Sequence, residues 1–230
     1  MNGKRPWPDR DVFAKGIFTA LPEYEWKAAR EIVTPTVVGK KRLLFREGEA
    51  ARNVFIVGAG LVKTYKNPSG DRVQIVNILG PGDVAGAEAL THSFYASSAA
   101  ALARSLVLKS ERGAFLDFIR RNPTLLVALI EMLNLENAAL QTQLARVGTK
   151  KALPRVASCL LLFMEKQVEP GQSRPFNLPI SRQEMGAFLG LSPETVSRQL
   201  KDLTTSRVIR LEHRRLTVLN LGHLKSIAQV

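Results

Sequence analysis

The chain has 230 residues, enough for one or two domains with cores of their own, and its 45% hydrophobic and 23% charged content is that of an ordinary globular protein. Its 33 Lys and Arg against 20 Asp and Glu leave a net charge of +13, which implies attraction to a polyanion such as nucleic acid or an anionic membrane surface. Apolar runs such as 125–130 are too short to span a bilayer, and the opening MNGKRPWPDRD lacks the apolar stretch of a signal peptide, so a cytoplasmic protein with no membrane partner is expected. The single cysteine, Cys159, excludes an intramolecular disulfide and a cysteine-ligated cluster held by one chain. No phosphate-binding loop, nucleophile elbow or legible carboxylate pair is present, so the sequence does not read as an enzyme.

Residues 1–34 begin polar and then mix Phe13, Ile17, Phe18, Leu21, Trp26 and Ile32 with charges, which suits a tail followed by short packing helices. From about Thr36 to Lys109 the period changes. Pieces rich in Val, Ile and Leu are bounded by Gly48, Gly58, Gly60, Gly70, Gly80 and Gly82, and they predict antiparallel strands closing into a small barrel or sandwich. A short helix is predicted near 111–121 and a longer one from Pro123 to about Val147. In the longer helix Leu126, Ile130, Leu133, Asn137, Leu140, Leu144 and Val147 fall alternately four and three apart, the spacing of a heptad seam. Such a seam serves either a parallel two-stranded homodimer or packing on the chain's own strands. The dimer is the favoured reading, and Asn137, the one polar seam position, would then fix its register.

Gly148 is a candidate hinge, and Lys150 and Lys151 precede a helix expected over about 152–167 with Val156, Leu160 and Phe163 inward. Cys159 on its apolar face reads as a core residue. The stretch VEPGQSRPFNLP is a Pro- and Gly-rich loop. Beyond 180–203, RVIRLEHRRLTVLN predicts two short strands turning around 212–215, then a last helix capped by Asn220. Charge is concentrated at this end. From Arg146 onward there are 14 Lys and Arg against 6 Asp and Glu, a net of +8, whereas the longer remainder holds 19 against 14, a net of +5.

Residues 180–203, ISRQEMGAFLGLSPETVSRQLKDL, are the most informative. Ser181 is an N-cap for an amphipathic run that Gly190 ends, and Ser192 caps a second run with Pro193 at its first position and Glu194 in its first turn. Two capped helices about three residues apart make a helix-turn-helix. Met185, Phe188, Leu189, Val196, Leu200 and Leu203 recur at helical spacing and predict the buried faces. Glu194, Ser197 and Arg198 share the opposite face, in the helix half that enters a major groove. Arg donates two hydrogen bonds to guanine, Glu accepts from the cytosine amino group, and Ser serves either role. A solvated helix face also carries such residues, so the surrounding pattern has to decide.

That pattern resembles the helix-turn-helix of the CRP/FNR family of bacterial transcription regulators. Ser181-Arg182, Met185-Gly186, Leu189-Gly190, Thr195, Ser197-Arg198, Leu200 and Leu203 all fall at the family's spacing. Glu194-x-x-Ser197-Arg198 is closest to the FNR/FixK-type recognition helix, which reads TTGA-type half-sites. By that resemblance Arg198 would bind the half-site guanine, Glu194 the paired strand and Ser197 a neighbouring thymine. Arg182, Ser192, Thr195, Lys201, Arg207, Arg214 and Arg215 are the candidates for phosphate contact and positioning.

The resemblance implies an α+β fold: an N-terminal tail (1–34), a jelly-roll β-roll like a cyclic-nucleotide-binding domain (35–121), a dimerisation helix (122–148) and a winged helix-turn-helix (149–230). It also implies double-stranded DNA, a second copy of the chain and RNA polymerase as partners. In cAMP-binding members a Glu follows the effector-turn glycine, and an Arg-Ser pair further on holds the cyclic phosphate. Aligning on Gly86 places Ala87 at the Glu position, Glu88 one residue late, and Ser97-Ser98 where Arg-Ser should be. Gly86, Glu88, Ser97 and Ser98 are therefore the candidate effector pocket, but the charge-assisted phosphate contact is missing. Arg104 could in principle substitute, but nothing in its spacing supports that. His92 has no visible partner for haem ligation. No cofactor is expected, and control by cAMP is disfavoured. Two alternatives stay open: the same DNA-binding role with a cyclic-nucleotide or haem-gas effector, and a ligand-binding module with an incidental basic tail.

Overall fold

A computed structural model describes residues 16–67, 73–149, 151–168 and 174–229, without the side chains of 139 and 142–149. It divides into two compact units, one ending within a long helix at Ala138 and one that starts at Ala139 and also takes in Asn67 and residues 73–76. Each is considered by itself.

The first unit opens with 3-10 turns at Gly16–Ala20 and Glu23–Glu25 and a one-and-a-half-turn helix, α1 (Trp26–Glu31). Eight strands follow: β1 (Val33–Val38), β2 (Leu43–Phe45), β3 (Asn53–Ala59), β4 (Val62–Lys66), β5 (Gln74–Leu79), β6 (Val84–Ala85), β7 (Ser98–Ala101) and β8 (Ser105–Glu111). They form two four-stranded sheets ordered β1-β8-β3-β6 and β2-β7-β4-β5, and every pairing described is antiparallel. This is the expected β-roll. Strand β1 starts at Val33, before the Thr36 expected from the sequence, and Pro35 lies within it. Proline supplies no ladder N–H, and β1 is an edge strand, where that loss is tolerated. Ile17, Phe18, Val54, Ile56, Val57, Leu108 and Phe115 are among the most deeply buried members of the core, each side chain contributing about 1.5–3 kcal/mol on removal from water.

Helix α2 (Arg112–Arg121) buries Phe115, Phe118 and Ile119 against the roll, and α3 (Pro123–Thr149) follows directly. Two faces of α3 are distinct. Leu125 and Leu129 are buried in the roll's core with Met132 beside them. About a quarter turn round, Leu126, Ile130 and Leu133 are 43%, 49% and 40% exposed, and Asn137 is exposed too. The two readings of the heptad seam therefore use different residues: packing on the roll is done by Leu125, Leu129 and Met132, leaving the seam's N-terminal half open. Leu140 is half-buried, while the side chains of Leu144 and Val147, Gly148, and the whole of Lys150 lie outside what is described.

In the second unit α4 (Ala152–Glu165) buries Val156, Cys159, Leu160 and Phe163. The stretch read as a loop contains β9 (Phe176–Asn177). Its two residues are too few to show alternation, and it exists by pairing with β11. Helices α5 (Arg182–Leu189) and α6 (Pro193–Thr205), strands β10 (Ile209–Glu212) and β11 (Arg215–Val218), and α7 (Leu221–Ala228) complete the unit. The wing is a three-stranded sheet ordered β10-β11-β9. No described helix is long and apolar enough to cross a membrane.

Candidate nucleic-acid interface

The two helices of the motif are fixed at their ends by the residues that mark them in sequence. Ser181 and Glu184 form a reciprocal capping box: the Glu184 N–H donates to Ser181 Oγ at 3.1 Å, and the Ser181 N–H donates to the Glu184 carboxylate at 3.0 Å. Gly190 ends α5 in the left-handed region, φ 66°. Gly186 is required by close approach, since a Cβ there would collide with the Leu191 carbonyl as the turn folds back over α5. The Leu191 N–H donates to the Gly186 carbonyl at 3.0 Å in the same turn.

Ser192 caps α6 by accepting from the Thr195 N–H at 3.2 Å, and its hydroxyl donates to Thr195 Oγ1 at 3.0 Å. Both side chains thus shape the start of the helix. Met185, Phe188, Leu189, Val196, Leu200 and Leu203 are all buried, as their spacing predicts, with α5 and α6 packed on each other and on α4. Glu194, Ser197, Arg198 and Lys201 are exposed on the other side of α6. Ser197 and Lys201 lie one turn apart, so the hydroxyl and the ammonium follow one another along one face.

Sequence reasoning missed Arg155. Its guanidinium, on α4, donates to the Leu189 carbonyl at 3.2 Å and so fastens the C-terminal end of α5, where a cation is also favoured by the helix dipole. The contact joins residues 34 apart in sequence, and no local motif announces it.

Helix α6 stops at Ser206, and Arg207 follows in the left-handed region at φ 55°, exposed. The wing turns over two residues, His213 (φ 56°) and Arg214, between the paired Glu212 and Arg215. Neither is a preferred hairpin-turn residue, so the turn is held from outside: the Leu178 N–H donates to the Arg214 carbonyl at 2.7 Å, and the Arg214 guanidinium donates to the Pro179 carbonyl at 3.4 Å. Burial, and then the neighbouring Arg214 charge, lower the affinity of Arg182 for its proton below the ordinary arginine value. Arg214 and Arg215 are exposed and Arg182 is half-buried.

The four candidate effector residues do not all face one space with free polar atoms. Gly86 is buried at φ 76°, and a Cβ there would lie 3.0 Å from the Tyr95 ring and 3.2 Å from the Phe45 ring. Those two rings stack with centroids 3.9 Å apart. The Tyr95 hydroxyl donates to the Asn53 carbonyl at 2.7 Å, and burial raises its pKa above the ordinary tyrosine value. Ser98 is buried, its hydroxyl accepting from the Glu47 N–H at 3.0 Å, so it serves the sheet. Ser97 and Glu88 are half-buried, and Arg104 and His92 are exposed. Cys159 is buried, and desolvation pushes its thiol pKa far up.

Two family models match the chain. The model of the Crp-like helix-turn-helix domain matches residues 154–227, and that of the cyclic nucleotide-binding domain matches 35–122. The transcriptional activatory protein AadR of Rhodopseudomonas palustris is 33% identical over 173 residues, covering 74% of this chain and 71% of that protein. The nitrogen fixation regulation protein FixK of Azorhizobium caulinodans is 32% identical over 188 residues, covering 81% and 75%. Among solved structures, FixK2 from Bradyrhizobium japonicum superposes with a TM-score of 0.77 at 28% identity, covering 85% of this chain and 97% of that one. The relatives are regulators rather than enzymes. With an antiparallel β-roll, a capped helix-turn-helix and a wing, the chain belongs to the CRP/FNR family of DNA-binding transcription regulators.

Proposed function

We propose that this regulator works as a cytoplasmic homodimer that reads a TTGA-type inverted repeat through α6, in the manner of the FNR/FixK branch. The observation that carries the reading is the division of α6 into a buried face and an exposed one bearing Glu194, Ser197 and Arg198. Arg198 donates two hydrogen bonds to the half-site guanine, Glu194 accepts from the opposite strand, and Ser197 meets a neighbouring thymine. Lys201, Arg207, Arg214, Arg215 and Arg182 meet phosphates, and the start of α6 shaped by Ser192 and Thr195 sets its approach. The exposed Leu126, Ile130 and Leu133 with Asn137, continuing through Leu140, Leu144 and Val147, form the dimer seam, and the boundaries near 35, 122 and 149 separate roll, dimer helix and reading head. RNA polymerase is the further partner implied by the family.

Control by cAMP is not part of this reading. The places of the ribose-binding Glu and phosphate-binding Arg hold Ala87 and Ser97, the Ser98 hydroxyl is spent on the sheet, and two stacked rings back the glycine turn. A different small effector in the roll is the second reading, favoured by the match to the cyclic nucleotide-binding domain. Titrating DNA affinity with cyclic nucleotides, and recording the absorbance of the protein as purified for haem, separates the two. The base-reading assignment is tested by Arg198→Ala: discrimination at one G·C pair falls by about 1–3 kcal/mol while binding to scrambled duplex falls far less. Equal losses on both duplexes overturn it.

A further inference from the structure

We infer that Arg182 and Arg214 form one clamp, gripping a single DNA backbone phosphate between the start of α5 and the tip of the wing. The inference rests on the DNA-binding reading above and deepens it, because separate surface cations would each neutralise a phosphate of their own.

Three observations lead to it. First, the wing tip is stitched to the segment leading into α5. The Leu178 N–H reaches the Arg214 carbonyl, the Arg214 guanidinium reaches the Pro179 carbonyl, and β9 pairs with β11 through Asn177–Arg215 and Phe176–Leu216. Arg214 is therefore anchored beside residues three and four before Arg182, although the two lie far apart in sequence. Second, the pair lacks a counter-ion: among the described residues neither side chain has an ion pair, and the Glu184 carboxylate one turn into α5 accepts from the Ser181 N–H. Third, Arg182 is half-buried, and burial first and then the neighbouring Arg214 charge disfavour its protonated form in the free protein. Two like charges held together by backbone geometry, one partly desolvated, are offset by an anion placed between them. Two guanidiniums present several N–H donors to the oxygens of one tetrahedral group, and they bind phosphate more strongly than neutral donors do. The capping box already uses the Glu184 N–H, so the α5 terminus is not needed as the anion site.

The salt dependence of DNA binding distinguishes one shared phosphate from two. Each phosphate neutralised contributes about 0.9 to the slope of log affinity against log salt. The full-length protein, Arg182→Gln, Arg214→Gln and the double variant are compared on a TTGA inverted repeat and on a scrambled duplex. The clamp predicts a loss of affinity in each single variant with the slope per half-site nearly unchanged, and a slope lower by about 0.9 only in the double variant. Slopes lower by about 0.9 in each single variant and about 1.8 in the double would mean two separate phosphates and overturn the clamp, as would an unchanged slope in the double. A methylphosphonate scan of the repeat, run on the unaltered protein and on both single variants, adds a second readout. The clamp predicts a single phosphate per half-site whose neutralisation abolishes the effect of both variants; two positions, one for each arginine, overturn it. Failure of the underlying reading looks different: the unaltered protein would not prefer the repeat to the scrambled duplex at all.

Discussion

Arg207 carries its charge on a backbone conformation that usually selects glycine. It sits immediately past α6 at φ 55°, where a side chain costs roughly 1–2 kcal/mol relative to the right-handed region. A glycine would remove the strain, offset in part by the greater freedom of the unfolded chain, so Arg207→Gly should leave unfolding free energy unchanged or raised by up to about 1 kcal/mol. If the charge is there for DNA, the same variant loses affinity on all sequences alike, with a salt slope lower by about 1 per half-site. Thermal unfolding and anisotropy titrations on one preparation check both halves. A loss of stability, or unchanged DNA binding, would contradict the assignment. The residues most legible in sequence were those whose role is local: Ser181, Gly190, Ser192 and Pro193 act within a turn of themselves, and the structure places each where its chemistry predicts. Arg155 and the Arg182–Arg214 pairing were not legible, because each joins elements separated by about thirty residues.

At the scale of elements, α3 shows what periodicity alone leaves open. The heptad spacing was correct about an apolar stripe and silent about what covers it. Leu125, Leu129 and Met132, about a quarter turn away, do the packing on the roll, and the stripe of Leu126, Ile130 and Leu133 remains open. Ile130→Glu should therefore leave the fold intact, since the side chain is 49% exposed, yet weaken self-association by about 3 kcal/mol or more, over a hundredfold, by removing two buried isoleucines per dimer. Leu129→Glu, three per cent exposed, should instead unfold the roll. Sedimentation velocity with circular dichroism distinguishes them; an Ile130→Glu protein that still dimerises at low concentration would remove the seam from the account. Strand β9 marks the opposite limit. Its two residues carry no periodic signal, and only its partner β11 gives it structure.

For the whole molecule, the excess of positive charge toward the C-terminal end and the open seam on α3 fit one arrangement, in which two reading heads meet two half-sites of a DNA duplex. The β-roll was legible as a fold because its turn glycines and apolar strands specify a core, whereas an effector is specified by a few polar atoms, and the Ser98 and Tyr95 hydroxyls are engaged within the roll itself. The DNA end is more exacting. In the proposed dimer, two heads would reach half-sites about one helical turn apart, ~34 Å, and only with both on the same side of the duplex. The most direct measurement is affinity for a TTGA inverted repeat of that spacing, compared with the same half-sites separated by about 5 further base pairs, half a turn. The account predicts that the insertion drops affinity to near that of a scrambled duplex, while equal affinity for the two spacings would contradict it.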